Sequence, residues 1–241
     1  GDEYRAPFYN DYRFWVQYPT YDVTQQLKPG ENVLSVMLGD GWYKGRFSYL
    51  DEARVKEIYG DDFLLTAQLL ITFGDGTRQM ITTDETWKCI SSPVLFSNIY
   101  DGEVYDAGRE IWDRDACRLA EGVEEASVPA VRAAAPEGKL TARMSVPVRI
   151  HERLSPASLL ITPAGEQVLD FGQEVAGWVE FDCRAEKGTE ITLQYGEILQ
   201  DDNFYRDNLR TAKAEYTYIA DGEKRHVRPH FTFYGFRYVK V

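Results

Sequence analysis

The chain has 241 residues, 44% of them hydrophobic and 14% aromatic, and a formal net charge of −12. That length suits two ordinary domains or one large β domain, and the apolar content supports a core. The acidity excludes nucleic acid and anionic membrane surfaces as partners, since both need a basic counter-surface, and no apolar run approaches the ~20 residues of a membrane-spanning helix.

Taken in chain order, Tyr4–Thr24 is rich in aromatic residues and carries Pro7 and Pro19; Tyr12–Tyr18 predicts a strand. Asn10-Asp11 is an oxygen-rich turn and a weak candidate for calcium, as is Gly60-Asp61-Asp62. Leu27–Asn32 holds Pro29 before Gly30, which marks a turn. Asn32–Leu38 reads as a strand and runs into Gly39-Asp40-Gly41-Trp42-Tyr43-Lys44-Gly45-Arg46-Phe47. The three glycines of this stretch point to backbone at positive φ or close approach to another group. Its rings lie beside Asp40, Lys44 and Arg46, which suits either a sugar face or an aromatic plug sealing one end of a sandwich. Asp40, Trp42, Tyr43 and Arg46 are the ligand-binding candidates here.

Asp51–Asp62 reads as a charged loop. Phe63–Phe73 predicts a strand that Gly74-Asp75-Gly76 closes, with Arg78–Thr83 pairing back as a hairpin. Val94–Ile99 leads into the acid-rich Tyr100–Glu110. From Asp113 to about Arg143 the chain turns rich in Ala and Glu, with Pro129, Pro136 and Gly138; Arg114–Ala120 suits a short helix and the rest a linker or covering arm. Strands resume at Val148–Glu152, Gln167–Phe171, Gly177–Cys183, Glu190–Tyr195, Ala214–Ile219, Arg225–Phe233 and Phe236–Val241, with Gly196–Thr211 a long polar loop. Short strands with few helices predict an all-β fold of two antiparallel, jelly-roll-like β-sandwich domains. The expected division is residues 1–125, a linker over 126–142, and residues 143–241.

No nucleotide-binding loop and no G-x-S-x-G elbow is present. Cys89, Cys117 and Cys183 lack metal-ligand spacing and read as reduced, mostly buried thiols. His226 and His230 lie four apart in an extended segment with Pro229, so they read as strand or loop contacts rather than a zinc pair. Paired carboxylates are the serious catalytic candidate, because glycoside hydrolysis needs two positioned acids. Asp101, Glu103, Asp106 and Glu110 cluster around Arg109. They read as loop acids paired with Arg109 and neighbouring turns, as a sugar or calcium site, or as the catalytic pair itself.

The ordered set Ala6-Pro7, Asp11-Tyr12, Gln17–Thr24, Gly39–Arg46, Ile99–Ala107, Asp170–Trp178, Gly196-Glu197, Asn208-Leu209-Arg210 and Phe233–Tyr238 resembles the bacterial α-L-rhamnosidase family over nearly the whole chain. The resemblance implies an N-terminal sandwich followed by a concanavalin-like sandwich. It also implies a parent enzyme that hydrolyses terminal α-L-rhamnose with inversion, using two acids in an (α/α)6 barrel that follows the sandwiches. No part of the chain reads as six helical hairpins. The expectation is therefore a non-catalytic N-terminal fragment, whose partners are the C-terminal catalytic domain and a rhamnose-containing glycan or glycoside. No cofactor is required; calcium is admitted, because some sandwiches of the family bind rhamnose through it. Three departures stand out: Gly108-Arg109 replaces the family's two arginines, the segment after Trp112 lacks the usual aromatic ending, and the chain begins after the family's opening strands. Gly1-Asp2-Glu3 reads as the interior of a longer sequence. Two other readings stay open: an autonomous calcium-dependent carbohydrate-binding module, and a self-sufficient glycosidase using the acids of residues 101–110.

Overall fold

The computed structural model describes residues 3–46, 57–113, 118–123 and 125–241. The fold is all-β and mainly antiparallel; among the described residues the only helical elements are two short 3-10 turns, Ala107–Arg109 and Asp207–Leu209. Seven strands form the main sheet: β1 (Val94–Asn98), β2 (Gly102–Asp106), β3 (Ser158–Ile161), β4 (Gln167–Gly177), β5 (Glu190–Gly196), β6 (Glu215–Ile219) and β7 (Tyr234–Lys240). Their spatial order is β3-β4-β7-β5-β6-β2-β1. Neighbours run antiparallel except β6 and β2, which pair in parallel from Glu215↔Gly102 to Ile219↔Asp106. Residues on both sides of the expected linker 126–142 thus share one hydrogen-bonded sheet.

Alternation explains the core. In β6 the sequence Glu215-Tyr-Thr-Tyr-Ile219 turns Tyr216 and Tyr218 inward, where both are buried. Leu193 and Tyr195 of β5 and Tyr234, Phe236 and Val239 of β7 join them. The rings of Tyr195 and Tyr234 stack with centroids 3.7 Å apart, and Phe236 meets Tyr195 edge-on at 5.0 Å. A tyrosine core must satisfy its hydroxyls. Tyr216 Oη donates to the Arg228 carbonyl at 3.2 Å, Tyr234 Oη donates to the Glu215 carbonyl at 2.9 Å, and Tyr195 Oη accepts the Val179 amide at 3.3 Å. Burial pushes the Tyr195 and Tyr216 phenols well up, which keeps them neutral.

Several elements differ from expectation. Asn32–Leu38 alternates but joins no ladder among the described residues, and Phe63–Phe73 forms a strand only over Gln68–Thr72. That strand pairs with Arg78–Thr82 as the expected hairpin. Val148–Glu152 shrinks to a single bridge, Tyr4↔Val148, and Arg225–Phe233 to Arg225–Val227. The polar loop 196–211 contains a small hairpin, Ile198–Gln200 with Asn203–Tyr205. Of the expected helix Arg114–Ala120, residues 118–119 are instead a strand paired with Trp112–Asp113, and 114–117 lie outside the described residues. Part of the expected linker is a covering strand: Lys139–Ala142 pairs in parallel with Trp15–Tyr18. The common reason is that alternation prepares a segment for a sheet, whereas a partner edge decides whether it becomes a strand.

Candidate functional site

The glycine-rich stretch is a tight turn against the sheet. The Asp40 carbonyl accepts the amides of Lys44 and Gly45, and the Asp40 amide donates to Ser97 Oγ of β1 at 3.1 Å. Gly41 sits at φ +53°. At Gly39 a Cβ would lie 2.4 Å from the Phe231 ring, so only glycine lets the backbone rest there. Trp42 meets Tyr9 edge-on at 5.7 Å, and Tyr43 meets Tyr12 at 5.3 Å. Tyr59 completes the group, 5.0 Å from Tyr12 and stacked on Tyr43 at 6.4 Å. These rings pack on one another, and Tyr9 is exposed at the edge of the group. Phe47 lies outside the described residues.

Arg46 and Asp101 come together as a buried ion pair, 2.7 Å between Nη2 and Oδ1. Arg46 also donates to Thr211, to its Oγ1 at 2.6 Å and its carbonyl at 3.0 Å. Asp101 Oδ1 accepts the Lys213 amide at 3.2 Å as well. Three segments distant in sequence are thereby locked by one guanidinium.

Glu103 takes separate partners from Asp101. Its carboxylate is fully buried and accepts the His230 amide through both oxygens at 3.0 and 2.9 Å, and the Phe231 amide at 2.8 Å. His230 Nδ1 lies 3.0 Å from the same group, and the imidazole stacks on Tyr105 with centroids 5.1 Å apart. Glu103 therefore ties β2 to the loop whose Phe231 carries Gly39. Asp106 caps the 3-10 turn through the Gly108 amide at 3.0 Å and pairs with Arg109 at 3.2 Å. Glu110 accepts Tyr105 Oη at 2.9 Å and the Ile111 amide at 3.0 Å. Each acid of the stretch is engaged by its own donors, so the geometry does not present two free carboxyls across a cleft.

The oxygen-rich turn Asn10-Asp11 is likewise engaged. Asn10 is buried, donates to the Trp15 carbonyl at 2.7 Å and accepts Gln17 Nε2 at 3.2 Å. Asp11 forms a two-point pair with Arg13 at 2.8 and 2.5 Å, and Asp61 is exposed. Among the described residues no group of three His, Cys, Asp or Glu side chains is arranged to hold a metal ion. Cys183 is a buried free thiol as expected, Cys89 is exposed, and Cys117 lies outside the described residues.

Sequence reasoning undervalued His230 and Thr211. The available signal was an acid, Glu103, inside an otherwise buried strand, which requires donors from elsewhere. A second polar cluster gathers motifs far apart in the chain. Arg237 grips Asp170 at 2.8 and 2.9 Å, and Asp170 Oδ1 accepts the Gly172 amide at 2.7 Å, shaping the irregularity of β4 between Asp170 and Val175. Asn208 donates to Glu197 Oε2 at 2.7 Å, and both Glu174 and Glu197 border Gly235. The Arg237 guanidinium holds the Asp170 carboxyl below its ordinary value, whereas burial, then the charge of Glu197, raises that of Glu174.

The fold and these sites define a class: an all-β, sandwich-type module whose candidate acids are each hydrogen-bonded within the chain. Residues 1–152 match the family described as the alpha-L-rhamnosidase N-terminal domain, and residues 161–241 match the bacterial alpha-L-rhamnosidase concanavalin-like domain. The chain belongs to the α-L-rhamnosidase family. It is 36% identical over 246 residues to an alpha-L-rhamnosidase of Streptomyces avermitilis, covering 100% of this chain and 23% of that protein. The crystal structure of the native α-L-rhamnosidase from Aspergillus terreus superposes with a TM-score of 0.90 at 31% identity, covering 100% of this chain and 27% of that one. The Streptomyces avermitilis α-L-rhamnosidase complexed with L-rhamnose superposes with a TM-score of 0.89 at 34% identity, covering 100% of this chain and 23% of that one. The chain thus spans about a quarter of the length of these relatives.

Proposed function

We propose that this chain is the non-catalytic N-terminal part of an α-L-rhamnosidase that hydrolyses terminal α-L-rhamnose from glycosides with inversion. Its role is to support an (α/α)6 catalytic barrel of the same polypeptide and to help present a rhamnose-containing glycan or glycoside to it. Residues 1–125 serve as the N-terminal-type sandwich, 126–142 as the connecting arm and 143–241 as the concanavalin-like sandwich. The observation that carries the reading is the engagement of the candidate acids: Glu103 is consumed by two backbone amides and His230, and Asp101 by Arg46 and Lys213. A general acid or base needs access to the substrate oxygen or a water, and neither buried carboxylate has it. Incubation of the chain with an aryl α-L-rhamnoside gives no turnover on this reading; turnover that Glu103→Gln abolishes, in a variant that circular dichroism shows to be folded, would establish the self-sufficient glycosidase instead.

A second reading rests on the aromatic group around Trp42 and Tyr43, whose edge residue Tyr9 faces solvent. There Asp40, Trp42, Tyr43 and Arg46, with Asp101, Glu103, Asp106 and Arg109 behind them, serve a carbohydrate-binding rim. In its calcium-dependent form Asn10, Asp11 and Asp61 are the oxygen donors. Calorimetric titration with L-rhamnose, with and without calcium, separates the readings: heat at millimolar sugar favours the rim, and silence in both conditions removes it.

A further inference from the structure

The loop that leads into β6 carries a strain that its sequence does not relieve. The Ala212 amide donates to the Leu209 carbonyl at 3.2 Å, which closes a tight turn. Arg210, the first central residue of that turn, sits at φ 60° and ψ −110°. Those angles define a type II′ turn, whose first central position favours glycine because a Cβ is strained at positive φ. Asp201 and Asp202 also lie at positive φ, but a short polar side chain tolerates that region better than arginine does. Further on, the buried Ala214 sits at φ 46°. Two non-glycine residues of one loop are thus held in left-handed backbone, which persists only where surrounding contacts over-determine it.

A distant part of the chain supplies such contacts. Arg46 donates to the hydroxyl and the carbonyl of Thr211, the other central residue of the turn. Asp101, the ion-pair partner of Arg46, accepts the Lys213 amide, and the Tyr100 carbonyl accepts the Ala214 amide at 3.1 Å. Arg206 closes the base of the loop on the Lys213 carbonyl. The grip is incomplete, because Arg46 Nε is buried and meets no acceptor among the described residues. A buried N–H without an acceptor is costly. A strained turn and an unmet donor in one contact describe a held state whose release relieves both. The same loop carries Asn208, whose amide reaches Glu197 at 2.7 Å.

We propose that loop 207–213 is a strained arm latched by Arg46, so that the glycine-rich turn ending at Arg46 and the Asn208–Glu197 contact form one coupled unit. Withdrawing the guanidinium from Thr211 lets Arg210 leave the left-handed region and releases Asn208 from Glu197. Loss of the Asn208 contact loosens the latch in turn, because coupling between two sites is reciprocal. The inference concerns this chain's own residues and is independent of the function proposed above.

Hydrogen exchange in the 241-residue chain tests it, read at residues 207–213 with β5 and β7 as internal references. Arg46→Lys keeps a charge facing Asp101 but loses the fork that meets both Thr211 oxygens. Exchange at 207–213 is expected to rise about tenfold, with the reference strands unchanged. Adding Arg210→Gly is expected to return most of that rise, because glycine holds the turn without a latch. Thr211→Ala, which removes only the hydroxyl bond, gives a smaller rise over the same span and serves if Arg46→Lys fails to fold. Asn208→Ala is expected to raise exchange as far as Lys213; a rise confined to the residues beside position 208 overturns the coupling. Unchanged exchange in Arg46→Lys and Thr211→Ala overturns the latch. So does a rise that spreads equally to β5 and β7, which makes Arg46 a general support of the sheet, and so does a rise that Arg210→Gly leaves in place.

Discussion

Glu103 shows what a single residue does in this chain. A buried carboxylate is costly unless its oxygens are met by donors, and here two amides and His230 meet them. Glu103→Gln keeps the shape but places an NH2 group against backbone N–H donors, so urea denaturation is expected to show a loss of about 3 kcal/mol. Asp170 gives the pH dependence. Arg237 first, with the Gly172 amide, holds its folded-state pKa below the ordinary 3.8. A carboxyl lowered on folding contributes stability that is present above its unfolded pKa and lost as pH falls through the folded one. Asp170→Asn is therefore expected to lower stability at neutral pH and to flatten the acid limb below about pH 4, followed by thermal melts against pH. Glu103 was legible in the sequence as an acid worth explaining, but its partner was not: His230 lies 127 residues away.

At the scale of elements, Gly102 decides how two halves of the chain meet. It sits at φ +114°, and a Cβ there would lie 1.7 Å from the Glu215 carbonyl oxygen of β6. Gly102→Ala forces β2 and β6 apart where they pair in parallel, and a loss above about 4 kcal/mol is expected, read as a collapse of soluble yield or of Tm. The strands β5, β6 and β7 follow from clean alternation with aromatic and β-branched residues. Asn32–Leu38 shows the opposite case, because an equally clean pattern finds no partner edge among the described residues and forms no ladder there. The hairpin at 68–82 was legible because Gly74-Asp75-Gly76 closes it locally.

For the whole molecule, the main sheet joins β1 and β2, which precede residue 126, to five strands that follow residue 142. A chain divided at 126–142 therefore loses the parallel pairing of β2 with β6 as well as the Arg46–Thr211 bonds. Residues 143–241 expressed alone are expected to melt with a broad, weakly cooperative transition, in contrast to a single steeper one for the main sheet in the 241-residue chain, as calorimetry would show. Two independent transitions in the intact chain would instead mean that the shared sheet does not couple the halves.

The sequence by itself determined the all-β class, the order of most strands, the hairpin at Gly74–Gly76 and the family, because alternation, turn residues and ordered motifs are local properties. Only the tertiary structure decided that Asp101 and Glu103 answer to Arg46 and His230 rather than to each other. It alone showed that Trp42 packs against Tyr9, and Tyr43 against Tyr12 and Tyr59. It alone put strands from both sides of residues 126–142 in one sheet. The physical reason is that a buried charge, a packed ring and a paired strand edge are each completed by groups distant along the chain, and their identity is set by the fold.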